Sequence, residues 1–408
     1  MSAPPIKVLM FGWEFPPNIS GGLGTACHGI TRGLAELGGI DVDFIIPTRP
    51  NGEDQAHVRI IALAEPAAYL PAAAGATVRK PYGQDLIEAA RAYAARVPQL
   101  IEELGSFDLI HAHDWLTCQA AIKARDLTGK PLLLHVHSTE YDRSGVHASA
   151  ELVGLERQGM EAADRIVAVS NFTRDIIIER YRQDPAKVVT VYDAADPYAR
   201  CLPLRPLAAR PQVSFLGRIT HQKGPAYFVR AAQLVAQRMP EVQFVMAGSG
   251  DMQPAMRALA AELGLEKSMF FPGFLVADEV RHLLQRSAVY VMPSVSEPFG
   301  ISALEAMDAG VPTVLSKQSG IAEVVGHACK VDYWDVAACA EAILTLLTDR
   351  ARAAAMVRGA HDDIAALTWK GCARALAGIY AEMSMAGRKT SPVTPAPVGT
   401  ARCNGALI

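Results

Sequence analysis

Ile6-Lys-Val-Leu-Met-Phe-Gly-Trp-Glu-Phe-Pro-Pro-Asn-Ile-Ser-Gly-Gly-Leu-Gly24 decides how the rest of the chain is read. Its first residues, Ile6–Phe11, form a short apolar run, too brief for a signal-peptide core or a membrane span and suited to a buried strand. A glycine-bearing loop follows, and then an amphipathic stretch, Thr25–Leu37, with helical spacing. Strand, glycine loop, helix is the opening unit of a parallel α/β sheet. Glycines ahead of a helix let a backbone rich in N–H groups approach an anion closely. The spacing does not match G-x-G-x-x-G, so the loop gives no reason to expect a dinucleotide.

The same unit recurs outward from that stretch. Asp41–Ile46, Leu109–His113, Leu132–His137, Ile166–Val169 and Val188–Val191 read as buried parallel strands. Helical patterns lie between them at Leu86–Leu104, Thr117–Leu127 and Leu152–Ala163. The alternation pauses near Pro197, and Pro203–Pro211 reads as an interdomain linker. It restarts with strands at Gln212–Gly217, Gln243–Ala247, Met269–Pro272, Tyr290–Met292 and Thr313–Leu315. Helices are expected at Pro225–Arg238, Met252–Leu263, Ala277–Gln285, Ser302–Asp308 and Asp335–Leu347. A last helical pattern covers Trp369 to Met385, and a proline- and threonine-rich tail follows. The predicted organisation is a Rossmann-like domain over 1–197, a second over 198–368, a closing helix over 369–385 and a disordered tail over 386–408.

Bulk properties agree with that plan. A chain of 408 residues exceeds one ordinary core, since domains run to about 100–200 residues. With 50% apolar and 20% charged residues, the composition is that of a soluble globular protein. The net charge of -3 offers no electrostatic surface for nucleic acid. The cysteines at 27, 118, 201, 329, 339, 372 and 403 are dispersed and form no CxxC pair, which predicts reduced thiols and a cytoplasmic address. No apolar run reaches membrane-spanning length, so integral insertion is not expected.

Ligands of open α/β sheets sit beyond the carboxyl ends of the strands, and the residues there carry the chemistry. In the first half these are His111-Ala-His-Asp-Trp115 and His135-Val-His-Ser-Thr-Glu-Tyr-Asp142. Two histidine pairs can suggest a metal, but their partners differ and no thiolate lies near in sequence. His111 and His135 are expected to point into the core and bond backbone, with His113, Asp114 and His137 facing the cleft. In the second half, Gly217-Arg218 is followed by His221-Gln-Lys-Gly224, where Arg218 and Lys223 can neutralise a diphosphate. Gly248-Ser-Gly250 is a second close-approach loop, and Gly273-Phe274 is a candidate for contact with a nucleotide base.

The most specific feature is Ser296-Glu-Pro-Phe-Gly-Ile-Ser-Ala-Leu-Glu-Ala306. Pro298 suits the start of a turn and Ser302 a helix cap. Glu297 is then placed in the loop and Glu305 in the first turns of the helix, as an acceptor for a ribose diol. The backbone N–H groups of Phe299, Gly300 and Ile301 are offered to sugar hydroxyls or phosphate. A single acidic residue at a helix start is ordinarily explained by the macrodipole; the pair spaced in this loop is what singles it out.

Taken together, these residues resemble the retaining GT-B glycosyltransferases, in particular family 4, with the glycogen and starch synthases as near relatives. The resemblance spans roughly residues 6–383 and rests on the Glu297-to-Glu305 pair, the Gly217-Arg218…Lys223-Gly224 segment and the Gly21-Gly-Leu-Gly24 loop. The two histidine-bearing segments resemble the synthase branch. It implies a GT-B fold: two Rossmann-like domains facing a cleft, with the last helix returning to the first domain. It implies transfer of a hexose, glucose by preference, from a nucleotide-sugar donor to a glucan or other saccharide acceptor. It further implies that the anomeric configuration is retained and that no metal or other cofactor takes part. Arg218 and Lys223 would hold the diphosphate, Glu297 the donor sugar and Glu305 the ribose. His137 would bond a sugar hydroxyl near the reaction centre. Gly21 and Gly22 would approach the phosphate or acceptor, and Asp114 would orient a sugar or the loop.

The chain departs from the synthase pattern in two places. Asn18-Ile-Ser-Gly-Gly carries no lysine before the paired glycines, which argues against ADP-glucose in particular. Asp193-Ala-Ala-Asp196 lacks the turn glycine common at the end of the first domain. Other readings are a transferase for another sugar or for a lipid or small-molecule acceptor, a nucleotide-sugar epimerase, and a non-catalytic binder. A phosphorylase would require pyridoxal phosphate on a lysine, and no lysine sits in a compelling place. A metal-dependent transferase would use Asp41-Val-Asp43, which lies in the body of a strand.

Overall fold

A computed structural model describes residues 4–19, 21–48, 55–64, 84–196 and 203–390. Among these, the first half contributes seven parallel strands: β1 (Ile6–Phe11), β2 (Ile40–Thr48), β3 (Arg59–Ala64), β4 (Leu109–His113), β5 (Leu132–Val136), β6 (Arg165–Ala168) and β7 (Val188–Thr190). Their order is β3-β2-β1-β4-β5-β6-β7. The second half contributes β8 (Gln212–Leu216), β9 (Gln243–Ala247), β10 (Met269–Gly273), β11 (Ser287–Met292), β12 (Thr313–Ser316) and β13 (Cys329–Val331), in the order β10-β9-β8-β11-β12-β13. Each order reverses direction beside its first strand, and the crevice at such a switch point is where doubly wound folds bind ligands.

The strands form where they do because both faces of each sheet are covered. Alternate side chains of β1, β4 and β5 enter two cores. Leu9, Phe11, Ile110, Ala112, Leu132 and Leu134 pack on one face. Val8, Met10, Leu109 and Leu133 pack on the other, under helix Gly22–Leu37 and helix Trp369–Thr390. The last helix buries Trp369, Cys372, Ala373, Leu376, Tyr380 and Met383, a stripe at helical spacing, against the first domain. It docks closely because the facing helix is notched: a Cβ on Gly29 would sit 2.1 Å from the Trp369 ring, and one on Gly33 would sit 2.5 Å from the Trp369 carbonyl oxygen.

Several expectations shift in detail. The stretch 86–104 forms two helices, Gln84–Ala95 and Val97–Glu103, because Pro98 cannot donate within a continuous helix. The first helix begins at Gly22, so Gly22 and Gly24 lie in its opening turn. Edge strands β3 and β13 and helices Asn171–Tyr181 and Arg350–Ile364 were not anticipated. The closing helix continues to Thr390, so the tail expected from 386 begins later, and 391–408 lie outside the described residues. No helix among the described residues is long and apolar enough to cross a membrane.

Candidate active site

The carboxyl ends of β8, β9 and β10 form a floor of backbone. The Gly248 N–H donates to the Gly273 carbonyl at 2.8 Å and that of Gly217 to Ala247 at 3.0 Å. A Cβ on Gly248, whose φ is 130°, would lie 1.8 Å from the Gly217 carbonyl oxygen, so only glycine permits these loops to stack. Phe274 follows Gly273 and is 53% exposed, a free aromatic face at the edge of the floor.

Above this floor stand the cations. Beyond β8, Arg218 donates from Nη2 to Gln222 Oε1 at 3.2 Å. The single turn His221–Lys223 ends at Gly224, in the left-handed region at φ 64°, and leads into helix Pro225–Arg238. Gln222 is buried, and its backbone carbonyl accepts the Val295 N–H at 2.9 Å, joining the lysine loop to the loop after β11. That join brings Lys223 Nζ to 2.5 Å from Glu297 Oε2. Ser294 Oγ donates to the same oxygen at 3.0 Å. The Glu297 backbone is fixed on both sides, donating to the Gln318 carbonyl and accepting from Gly320, each at 2.9 Å. A fixed cation and a fixed carboxylate therefore meet from distant parts of the sequence.

The loop and helix after Glu297 differ from expectation at one residue. Gly300, not Ser302, is the N-cap of helix Ile301–Asp308, and no side chain caps it. The Ser302 hydroxyl shares a hydrogen bond of 2.8 Å with the Tyr290 hydroxyl, because it points back at β11 from within the first turn. The Phe299 ring is buried, so only its backbone can meet a ligand, and its carbonyl already accepts from Ile321 at 2.8 Å. Ile301 opens the helix and partly buried Glu305 lies one turn further on. Gly21 is the N-cap of the opening helix; a Cβ on Gly21 or Gly22 would meet nothing within 4 Å, which leaves their backbone open to a ligand.

The first domain reaches across to the same loop. The short helix Glu140–Ser144 packs against the His221–Lys223 turn. Ser296 Oγ donates to Asp142 Oδ1 at 2.6 Å. Ser170 Oγ donates to the Pro298 carbonyl at 2.5 Å, and Thr173 Oγ1 to the same oxygen at 3.3 Å. The Asn171 N–H donates to Glu323 Oε1 at 2.7 Å. Three of these contacts fall on Ser296 and Pro298, either side of Glu297. Asp142 and Ser170 were missed as site residues. In sequence they are legible only as local caps, a role both also fill.

The histidines are corrected in part. His113 does not face the cleft: it is fully buried, and its Nδ1 lies 2.9 Å from His137 Nε2. His111 and His135 are buried as expected but do not bond backbone. His111 Nδ1 meets the Tyr380 hydroxyl at 2.7 Å, and both ring nitrogens of His135 lack a hydrogen-bond partner. His137 is the outermost of the four and is partly buried. Its backbone N–H donates to Asp114 Oδ1 at 2.7 Å, and its ring Nδ1 lies 3.9 Å from Asp193 Oδ2. Burial pulls the His137 pKa down, but the Asp193 and Asp114 carboxylates outweigh it and the net shift is upward. Asp114 also accepts the Ser138 N–H at 3.3 Å, so its carboxylate holds the His137 loop. Asp193 is a further residue that sequence reasoning set aside.

Among the described residues, two groups have the composition of metal ligands, His111/His113/His135 and His135/His137/Asp193, and neither includes Glu297. Asp41 and Asp43 lie toward the amino end of β2, away from the carboxyl edge, and Asp43 pairs with Arg59 at 3.3 Å.

Two doubly wound sheets with a cationic loop and a carboxylate at the carboxyl edge of the second define a GT-B glycosyltransferase architecture. Family models match both halves: Glycosyltransferase Family 4 over residues 20–198 and Glycosyl transferases group 1 over residues 206–363. The chain is 32% identical to the alpha-maltose-1-phosphate synthase of Mycolicibacterium smegmatis, covering 93% of this chain and 100% of that one. It is 28% identical to the glycogen synthase of Mycobacterium tuberculosis, covering 96% and 98%. Among solved structures, sucrose-phosphate synthase from Thermosynechococcus elongatus superposes with a TM-score of 0.78 at 22% identity, over 93% of this chain and 100% of that one. The chain belongs to glycosyltransferase family 4, group 1.

Proposed function

We propose that this glycosyltransferase moves a hexose, glucose by preference, from a nucleoside diphosphate sugar to a glucan or other saccharide acceptor, with retention at the anomeric carbon. The observation that carries the reading is the 2.5 Å pairing of Lys223 with Glu297 beside Arg218. It provides a cation for a departing diphosphate next to a carboxylate for the sugar. Relatives named as glycogen synthase and alpha-maltose-1-phosphate synthase support glucose as the sugar and a saccharide as the acceptor.

The transition state of glycosyl transfer resembles an oxocarbenium ion beside a leaving diphosphate. Negative charge grows on the phosphate as the glycosidic C–O bond breaks, and cations already fixed there stabilise the transition state more than the ground state. Arg218 and Lys223 fill that role without a metal at the diphosphate. Glu297 orients donor-sugar hydroxyls, and Glu305 accepts from the ribose diol. The backbones of Gly248, Phe299, Gly300 and Ile301 approach the donor, with Phe274 beside the base. The Gly21–Gly22 backbone and the His137 loop, held by Asp114, complete the acceptor side. The acceptor hydroxyl attacks from the face the diphosphate leaves, and a phosphate oxygen takes its proton.

The test is nucleotide release from a panel of UDP-, ADP- and GDP-hexoses, with and without maltodextrin or glycogen, with the product anomer read by proton NMR. Release stimulated by a glucan, with an α-linked product from an α-linked donor, is expected. No release from any donor refutes the transfer. Release that only a non-saccharide acceptor stimulates refutes the acceptor class.

A further inference from the structure

We infer that His111, His113 and His135 bind one transition-metal dication inside the first domain, between its sheet and the helix Trp369–Thr390. The register of β4 and β5 sets up the cluster. His113 lies directly opposite His135, and His111 lies two residues back on the same face. The rings gather with centroids 4.3 Å apart for His111 and His113, 5.4 Å for His113 and His135, and 5.5 Å for His111 and His135. All three residues are 0% exposed.

Such packing is chemically odd without a ligand. An apolar core has no use for imidazoles, and buried polar groups are almost always hydrogen-bonded. Yet His111 Nε2, His113 Nε2 and both nitrogens of His135 have no hydrogen-bond partner. One potential ligand atom from each of the three residues can be chosen so that all lie within 4.8 Å of one another. Zinc–nitrogen bonds of about 2.0–2.1 Å imply a tetrahedron edge of about 3.4 Å, so the His135 ring, which lies 11° from parallel to His111 and 27° from parallel to His113, has to turn to bring a lone pair onto the ion.

The other ring nitrogens are placed as in built metal sites, where the non-ligating N–H donates to an outer group and fixes the tautomer. His111 Nδ1 meets the Tyr380 hydroxyl at 2.7 Å, and His113 Nδ1 meets His137 Nε2 at 2.9 Å. One arrangement of protons then suits His111, His113 and His137, while His135, with neither ring nitrogen partnered, would gain a partner only from the metal. His111 and His113 donate from Nδ1 and keep Nε2 for the metal, while His137 accepts at Nε2 and directs Nδ1–H toward Asp193. Neutral imidazoles leave the dication uncompensated, and two buried carboxylates supply the counter-charge. Asp193 is 4% exposed with its Oδ1 unpaired, and Asp114 is 8% exposed. Imidazole-only ligation suits zinc, copper, nickel, cobalt or iron rather than magnesium or calcium. Because Tyr380 belongs to the last helix, the metal would tie that helix to the sheet. It stands apart from the diphosphate site and does not rest on the reading of the reaction.

The test uses full-length protein made without a histidine tag. Elemental analysis should find about one transition metal per chain, retained against chelator while the protein is native. Unfolding and refolding in chelator should lower the Tm, and refolding with zinc should restore it. Refolding with cobalt should produce ligand-field absorption. His135→Leu, a swap for an apolar side chain, should abolish metal retention. If the variant does not fold, the wild-type measurements decide alone. Only trace metal in wild-type protein, with no cobalt spectrum and no effect of zinc on Tm, overturns the inference. So does stoichiometric metal that a folded His135→Leu variant retains.

Discussion

Lys223→Ala separates a catalytic cation from a structural one. Lys223 Nζ lies 2.5 Å from Glu297 Oε2, with side-chain exposures of 21% and 6%. Exposed pairs contribute about 0–1 kcal/mol, and breaking a buried pair costs about 3–5 kcal/mol. A pair with one partner a fifth exposed falls between, so Lys223→Ala should destabilise the protein by about 1–3 kcal/mol, chiefly by stranding Glu297. Its effect on turnover should be larger and independent. Losing a preorganised charge at a developing anion costs about 2.7–4 kcal/mol in barrier, a fall of about 10²–10³ in kcat. The double variant Lys223→Ala/Glu297→Ala removes the stranded carboxylate and should regain much of the stability. Turnover should remain low, since the cation is not replaced and the carboxylate that faces the sugar is lost with it. The assays are urea unfolding and nucleotide release at saturating donor, using the donor that the panel selects. Turnover of Lys223→Ala within about threefold of wild type would refute the diphosphate role. Recovery of turnover in the double variant would show that Lys223 serves only to neutralise Glu297.

Arg143 pairs with Glu140 at 3.2 Å and Glu156 at 2.5 Å, all three side chains nearly inaccessible. Arg143→Ala should cost about 3–5 kcal/mol, read as a lower urea midpoint at unchanged m. Burial raises the Glu156 pKa above its ordinary value even with Arg143 present. The folded state therefore binds more protons than the unfolded state, and stability from this group falls as pH rises through its folded pKa. Moving from about pH 7 to about pH 5 should recover part of the loss in the variant. Gly29→Ala places a methyl 2.1 Å from the Trp369 ring and should destabilise by about 1–3 kcal/mol, with altered tryptophan emission as the closing helix shifts. Ser170→Ala removes both the hydrogen bond to the Pro298 carbonyl and the cap on the Thr173 N–H. It should cost about 1–2 kcal/mol in stability, and the donor KM should rise because the Glu297 loop loses its anchor on the first domain.

Most of the architecture was legible because parallel strands buried on both faces are written as continuous apolar runs. Ile6–Phe11, Leu109–His113 and Gln243–Ala247 were read to the residue. Edge strands β3 and β13 were missed: β13 has only three residues, too few to show a period, and β3, though as long as β1, pairs on one side only. The closing helix was recognised by its spacing and by family resemblance, but its seat required the glycine notch at Gly29 and Gly33.

The amino-acid sequence by itself determined the two doubly wound halves and the residue types available at their carboxyl edges. Both are local properties, set by periodicity and by the turn chemistry after each strand. The tertiary structure alone decided which of those residues meet. Lys223 and Glu297 join because the buried Gln222 carbonyl accepts from Val295. Asp142 and Ser170 reach the Glu297 loop from the other domain. His113 turns inward because the pleat puts it on the same face as His111, beneath the closing helix. Such pairings depend on the register of strands and on the docking of one domain against another, and no periodicity along the chain encodes either.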